Sequence, residues 1–219
     1  MFELFIPFCL LFLFILFLAI IWRINARKYI TSGTVASAYD AWTQDKLLER
    51  LWGEHIHLGF YPPGNKNIDF RKAKVQFVHE LVKWSDLDKL PKGSRILDVG
   101  CGIGGSSRIL AKYYGFNVTG ITISPAQVKR ARELTPSGLN CNFQVMDALN
   151  LEFDDGVFDA VWSVEAGAHM NDKTRFADEM LRTLRPGGYL ALADWNSRDL
   201  GAYPPSFFEK LVLKQLLEQ

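Results

Sequence analysis

The sequence has no excess of charge of either sign. Its 25 Lys and Arg residues are balanced by 24 Asp and Glu residues, which leaves a formal net charge of +1. Proteins that bind nucleic acid usually present a strongly basic face, because they neutralise phosphates. The charge balance therefore disfavours a nucleic-acid partner. The length of 219 residues suffices for one α/β domain with a short appendage.

Cysteine is scarce, and the few cysteines are widely separated. The chain has only Cys9, Cys101 and Cys141, and none of them has a partner at Cys-x-x-Cys spacing. Disulfide frameworks and zinc sites both need such clusters, so neither is predicted and no metal is expected. A reducing compartment is the simplest interpretation of this pattern.

Charge is missing altogether from Leu4–Trp22, a run of nineteen residues. At about 1.5 Å per residue, a helix of that length nearly crosses a hydrocarbon layer of about 30 Å. A cleaved signal peptide would need a basic start, whereas the only early charge is Glu3. Arg23, Arg27 and Lys28 follow the run, which predicts a single-pass membrane anchor with the rest of the chain on the cytoplasmic side. A cleaved signal peptide and a buried core helix are the alternatives.

The remaining chain divides by its pattern into two parts. We predict an anchor with its basic flank at 1–29, a helical cap at 30–92 and a core at 93–219. In the cap, helices are predicted at 38–52 and 69–84. In the core, strands are predicted at 95–100, 116–123, 141–147, 157–164 and 189–195, helices at 106–114, 125–134 and 171–184, and a turn at 186–188. Strands that alternate with helices predict an α/β fold with a doubly wound, mostly parallel sheet. Further C-terminal strands are expected to be missing.

A glycine-rich segment, LDVGCGIGG, follows the first predicted strand. Glycines at this point let the backbone approach a ligand at a helix N-terminus. Gly100, Gly102 and Gly105 also satisfy the G-x-G-x-x-G pattern of dinucleotide sites. However, Asp98 would repel a pyrophosphate, whereas its carboxylate suits a cationic amino-acid end. The second strand also ends without the acid that a dinucleotide enzyme uses to bind ribose.

Other polar residues at the strand ends are suited to a nucleoside. Thr122 and Gln127 offer neutral groups to ribose hydroxyls. Asp147, beside Ala148, is placed to meet an adenine amino group. Asp147 as a simple turn residue, and Asp98 as a structural carboxylate, remain open alternatives.

Taken together, five segments resemble one enzyme family. They are ILDVGCGIGGSSRILA, GITISPAQVKRA, VMDALNL, SVEAGAHMNDK and LRPGGYLALADW. As a set they resemble the class I, S-adenosylmethionine-dependent methyltransferases that act on tocopherol precursors and sterols. The upstream segment WGEHIHLGFY is similar to a motif of the tocopherol branch, in particular of cyanobacterial 2-methyl-6-phytylbenzoquinol methyltransferases. The resemblance runs from about Tyr39 to the end of the chain.

The resemblance implies a Rossmann-like fold, S-adenosylmethionine as cofactor, and a lipophilic prenylated quinol as acceptor on the route to tocopherols and plastoquinone. The predicted cofactor-binding residues are Asp98, Gly100, Cys101, Gly102, Gly104, Thr122, Gln127, Asp147 and Ala148. Methylation of γ-tocopherol or of a sterol stays open, as does a non-catalytic membrane-bound module that binds S-adenosylmethionine. The oligomeric state is not predicted.

Candidate catalytic residues lie at the same edge of the predicted sheet. An aromatic carbon becomes nucleophilic when the neighbouring phenol loses its proton, so a nearby base would help. Glu165 and His169 follow the fourth strand at the carboxyl edge, and their i, i+4 spacing predicts a shared helical face. His57, together with His55, belongs to a segment predicted to cover the site as a lid. The alternative is that these side chains only bind the local backbone.

Overall fold

The structure is a computed structural model that describes residues 13–17, 32–64, 67–196 and 206–209. The chain forms two compact units, one made of Met1–Tyr29 with Asp199–Gln219 and the other of Ile30–Arg198. In the first unit, residues 13–17 and 207–209 are helical. Most of the predicted anchor lies outside the described residues. Within the described ranges, no helix has the length and apolar character needed to cross a membrane.

Three helices precede the sheet. Helices α1 (Ser32–Gln44) and α2 (Leu47–Trp52) stand where a single helix at 38–52 was predicted. The break is at Lys46, whose φ of 53° is left-handed and therefore incompatible with a continuous right-handed helix. Helix α3 (Phe70–Trp84) confirms the predicted helix at 69–84. It begins at Asp69, whose carboxylate accepts hydrogen bonds from two backbone N–H groups of the first turn.

The second unit is built on a five-stranded parallel sheet in the order β3-β2-β1-β4-β5. Its elements are β1 (Arg95–Val99), α4 (Gly105–Tyr114), β2 (Asn117–Thr122), α5 (Pro125–Leu134), β3 (Cys141–Val145), β4 (Phe158–Val164), α6 (Lys173–Thr183) and β5 (Leu184–Ala193). The strand order reverses between β1 and β4, which confirms the doubly wound arrangement. In such sheets, ligands bind beyond the carboxyl ends of the strands at this reversal.

The predicted turn at 186–188 is instead part of a strand. Leu184 pairs with Phe158 of β4, and the next pair joins Tyr189 to Ala160, so the residues between them bulge out of the ladder. Gly187 has a φ of 73°, which a glycine adopts without steric strain. The Pro-Gly-Gly sequence therefore interrupts the pairing of β5 without ending the strand.

Apolar side chains cover both faces of the sheet, as a fully parallel sheet requires. One cluster packs β1 and β4 against α3 and α4, and the other packs them against α6. Trp162 of β4 is fully buried in the first cluster and pairs with Asp98 of β1. Because neighbouring strands are in register, these two side chains face the same side of the sheet. The indole N–H of Trp162 has no hydrogen-bond partner among the described residues, so Trp162 stabilises the core through packing.

Candidate active site

The loop that follows β1 carries three glycines with positive φ. The φ angles are 78° at Gly100, 55° at Gly102 and 81° at Gly104. The N–H groups of Gly100 and Cys101 both donate to the carbonyl of Ile121 in β2, at 2.9 Å. These two predicted cofactor residues therefore bind the sheet through their N–H groups and do not offer them to a ligand.

The space around this loop is closed on one side and open on another. A Cβ atom added to Gly100 would collide with Ala166, which follows β4. A Cβ added to Gly102 would meet nothing within 4 Å. The close approach of Gly100 to Ala166 joins the glycine loop to the turn after β4, across the strand reversal. The open space at Gly102 lets a ligand approach the backbone, as a cofactor cradle requires.

Asp98 is a buried carboxylate at the end of β1, with only 2% of its surface exposed. It accepts hydrogen bonds from the hydroxyl of Ser107, at 2.5 Å, and from the backbone N–H of the same residue. Burial raises the pKa of Asp98 to about 7, against the effect of the Ser107 hydrogen bonds. Asp98 thus joins β1 to α4, as the alternative of a structural carboxylate predicts. A cation bound beside it would favour the ionised form.

The predicted ribose-binding pair is buried, and its members are bonded to each other. The hydroxyl of Thr122 donates to Oε1 of Gln127, at 2.6 Å. The same hydroxyl accepts a weaker bond from the backbone N–H of Ser124, at 3.3 Å. The bond to Thr122 leaves the amide NH₂ of Gln127 as the group of this pair that can donate to a ligand.

Asp147 lies after β3 at the same edge of the sheet. Its Oδ1 accepts a hydrogen bond from the backbone N–H of Leu149, at 2.9 Å, so one oxygen forms a local turn. Asp147 is therefore a turn residue through Oδ1, as one alternative predicted. Ala148 is buried beside it.

A segment of the cap packs on the first turn of α4, directly after the glycine loop. We call residues 52–58 the lid segment. A Cβ added to Gly105 would lie 2.7 Å from the carbonyl oxygen of Glu54 and 2.9 Å from Nδ1 of His55. The carboxylate of Glu54 also pairs with the buried guanidinium of Arg108 on α4, at 2.6 Å. The lid segment therefore contacts the first turn of α4, directly after the glycine loop, and its role as a cover of the site stays a prediction.

Glu165 has a strained backbone directly after β4. Its φ of 52° is in the left-handed region, which is uncommon outside glycine and often marks functional sites. Its Oε1 accepts a hydrogen bond from the backbone N–H of Leu58 in the lid segment, at 3.0 Å. The next residues form a 3₁₀ turn at Gly167–His169. The predicted helical face shared by Glu165 and His169 is therefore wrong, because the backbone at Glu165 cannot belong to an α-helix.

His169 is joined to the first helix of the cap. Its Nε2 lies 2.8 Å from the hydroxyl of Tyr39 in α1, and the two rings pack edge to face. Burial lowers the pKa of His169, while the carboxylate of Asp194, which follows β5, acts in the opposite direction. The imidazole is therefore neutral near pH 7 and able to accept a proton. Sequence reasoning missed both Tyr39 and Asp194 as site residues.

His57 lies inside a chain of hydrogen bonds within the lid segment. Its Nδ1 donates to the carbonyl of Leu58, at 2.7 Å, and its Nε2 lies 3.1 Å from Nδ1 of His55. Burial lowers the pKa of both rings, that of His55 to about 3. Both ring nitrogens of His57 are thus engaged in hydrogen bonds within the lid segment, so neither is available to act as a base toward a substrate.

A further contact missed by sequence reasoning fixes α1 to the core. Asp40 accepts hydrogen bonds from the hydroxyl of Ser124, at 2.5 Å, and from the backbone N–H of Ala126, at 3.0 Å. These groups form the N-terminus of α5, where a carboxylate is favoured by the free N–H groups. Asp40 thereby attaches α1, the helix that carries Tyr39, to α5.

The fold and the site together define a class of enzyme. Residues 97–192 match a family model described as a methyltransferase domain. This span begins in β1, contains the glycine loop, Glu165 and His169, and ends in β5. Over this span the chain is therefore similar to a methyltransferase domain, which agrees with the S-adenosylmethionine cofactor expected from the sequence. The buried Asp98 and the open side of Gly102 fit this cofactor.

Curated relatives make the resemblance more specific. The chain is 59% identical over 201 residues to the 2-methyl-6-phytyl-1,4-hydroquinone methyltransferase of Synechocystis sp., which covers 91% of this chain and 63% of that protein. It is 41% identical to the chloroplastic tocopherol O-methyltransferase of Arabidopsis thaliana, over 71% of this chain and 48% of the relative. The chain thus spans about half to two thirds of the length of these relatives.

The fold is also shared with a solved structure of a different activity. The crystal structure of the [4+2]-cyclase SpnF superposes with a TM-score of 0.65 at 32% identity, over 73% of this chain and 58% of that one. A similar fold thus also occurs in a cyclase, so the reaction must be argued from the site and the relatives.

Proposed function

We propose that the protein transfers a methyl group from S-adenosylmethionine to a ring carbon of a prenylated aromatic quinol, of the 2-methyl-6-phytylbenzoquinol type, on the route to tocopherols and plastoquinone. The observation that carries the proposal is the 59% identity to a hydroquinone methyltransferase over 91% of the chain. A similarity of that extent includes the cap as well as the core, so it is not confined to the cofactor-binding half.

The cofactor supplies an electrophilic methyl group on a sulfonium when it is bound. Asp98 holds the cationic amino-acid end, and its ionised form is then favoured. Gln127, fixed by Thr122, donates to the ribose, while Asp147 and Ala148 border the adenine. The open side of Gly102 admits the cofactor to the loop backbone.

The acceptor binds between the glycine loop and the turn after β4. His169, neutral and held by Tyr39, takes or orients the proton of the ring hydroxyl. The ring carbon that gains the methyl group then loses its own proton, and the hydroxyl is restored. Glu165 holds the lid segment through Leu58 and orients the same hydroxyl with its second oxygen. The lid segment excludes water, which favours transfer to carbon over hydrolysis. In this proposal, residues 30–92 act as a cap and residues 93–219 as the core.

We also propose that the enzyme works at a membrane surface, with the predicted anchor at Leu4–Trp22 and the catalytic domain on the cytoplasmic side. A prenyl tail keeps the acceptor in the bilayer, so a tether brings the pocket to its substrate. The cap supports this through large apolar side chains that are exposed in or beside the lid segment, namely Leu51, Trp52, Ile56, Leu58 and Tyr61. Such side chains are typical of membrane interfaces.

A pair of leucine variants tests this surface. Leu51 and Leu181 are exposed to similar degrees, 62% and 55%, on different helices. We expect Leu51→Glu to raise the KM for a phytylated quinol in anionic vesicles by roughly tenfold, because a carboxylate replaces an apolar contact with lipid. The matched control Leu181→Glu should leave this KM unchanged. A quinol with a short, water-soluble tail should be methylated equally by both variants. Equal KM values for both variants in vesicles would contradict a membrane role for this surface.

The acceptor is tested with full-length protein in detergent and radiolabelled S-adenosylmethionine. 2-Methyl-6-phytylbenzoquinol, γ-tocopherol and a sterol are offered separately. Label in the quinol alone is the expected result. Label in γ-tocopherol or the sterol alone would assign the enzyme to that acceptor and contradict the proposal. Cofactor binding without transfer to any acceptor would favour the non-catalytic module.

A further inference from the structure

Helix α3 buries a lysine that forms no ion pair with an acidic side chain among the described residues. Lys74 is only 3% exposed, and among the described residues no carboxylate lies within ion-pairing distance of its Nζ. The ammonium donates to the carbonyls of Trp52, at 3.1 Å, and His55, at 2.8 Å. It also lies 4.5 Å from the ring centroid of Trp52 and 5.2 Å from that of Phe70. A buried ammonium is costly unless such contacts compensate it.

The carbonyls bound by Lys74 both belong to the lid segment. One is at its first residue and the other lies in its middle. The same segment pairs Glu54 with Arg108 above the glycine loop and ends at Leu58, whose N–H binds Glu165. Lys74 therefore contacts, through the backbone that it holds, the segment that binds Glu165.

Four ionisable groups share the electrostatic environment of Lys74. Arg71 on the same helix disfavours the charged form, and Glu165 beyond β4 favours it. The lid residues His55 and His57 are held neutral by burial and also by the charge of Lys74. Burial is the main cause that lowers the pKa of Lys74 to about 8. The charge of Lys74 is thus present near neutral pH and is lost under mildly alkaline conditions.

We infer that Lys74 is a positioning residue for methyl transfer: its ammonium fixes the lid segment on the glycine loop and so keeps Glu165 oriented toward the acceptor. The inference rests on the proposed function. Lys74 would therefore affect catalysis through the lid segment, without touching the substrate.

The test compares pH profiles of kcat for the wild type, Lys74→Met and Lys74→Arg, with Lys72→Met as the exposed control on the same helix. We expect the wild-type kcat to fall as the pH rises through about 8, because Lys74 loses its charge. Lys74→Met should lower kcat by roughly tenfold to a hundredfold at neutral pH, since the lid is displaced, without this alkaline limb. Lys74→Arg should restore kcat and move the limb to higher pH. Lys72→Met should behave as the wild type.

A spectroscopic measurement keeps the inference testable if Lys74→Met does not fold. Tryptophan fluorescence of the wild type should titrate with a midpoint near 8, because the ammonium lies over the ring of Trp52. This transition should be absent from Lys74→Arg. A wild-type kcat profile in Lys74→Met, or an unchanged titration in Lys74→Arg, would overturn the inference. If the wild type methylates no acceptor, the proposed function fails, and the titration still decides whether Lys74 controls the lid.

Discussion

Asp98→Asn is expected to weaken the binding of S-adenosylmethionine by roughly a hundredfold, because a cation would lose its buried carboxylate partner. The substitution keeps the size of the side chain and still lets its carbonyl accept from Ser107. The loss should therefore appear in the dissociation constant measured by calorimetry, with the melting temperature little changed.

The pH dependence of the same binding separates charge from shape. Burial raises the pKa of Asp98 to about 7, so below that pH the free protein carries a proton that a bound cation must displace. The affinity of the wild type should consequently rise with pH up to about 7 and then level off. The ratio of wild-type to Asp98→Asn affinity should follow this course, and any titration of the ligand cancels in the ratio.

Two control variants isolate the effect of Asp98. Asp159 is a carboxylate at the opposite edge of the sheet, where it accepts from the backbone of Arg95 and pairs with Arg185. Asp159→Asn should lower stability and leave cofactor affinity unchanged. Ser107→Ala removes one hydrogen bond to Asp98 and should shift the pH dependence upward. Equal affinity in Asp98→Asn and the wild type at pH 8 would show that Asp98 is only structural.

Glu165→Gln and His169→Asn are expected to lower kcat by about 10²- to 10⁴-fold, the range of general acid–base catalysis. Glu165→Gln keeps an oxygen for the N–H of Leu58, so the lid segment should stay in place. His169→Asn removes the neutral imidazole. Cofactor affinity should change little in either variant, because the proposed function assigns both side chains to the acceptor.

The pH profile identifies which of the two residues acts as the base. Burial lowers the pKa of His169 from 6.5, so an acidic limb due to this group should lie below that value. Tyr39→Phe should move this limb, since it removes the hydroxyl at Nε2. The exposed Glu152→Gln serves as the control. If Glu165→Gln and His169→Asn both leave kcat and the acidic limb unchanged, neither residue is the base. The base must then be another residue of the site.

The core of the fold was predictable because its pattern is local. Each strand is a short apolar run bounded by turn residues, and the glycine loop directly follows the first strand. The cap was predicted less well. A single helix at 38–52 was expected, but the left-handed Lys46 breaks it, and no glycine or proline marks that position. The bulge at Gly187 was predicted as a turn, because a Pro-Gly-Gly sequence is typical of turns and here also forms a bulge.

The candidate site was predictable where the residues follow strand ends. Parallel strands bring their carboxyl ends to one edge, so Asp98 and Glu165 could be assigned to that edge from sequence. Contacts between the cap and the core left no comparable signal. Tyr39 and His169 are 130 residues apart, and Lys74 is one of three lysines on an amphipathic helix. Only the packed structure shows that these residues hold the predicted base and the lid.

Methyl transfer to a ring carbon is tested most directly by the position of the transferred methyl group in the product. Full-length protein is incubated with deuterated-methyl S-adenosylmethionine and 2-methyl-6-phytylbenzoquinol, and the product is analysed by mass spectrometry and NMR. We expect a deuterated methyl group on a ring carbon, with both hydroxyl groups still free. A deuterated methyl group on oxygen, or no label in the quinol while the cofactor binds, would contradict it.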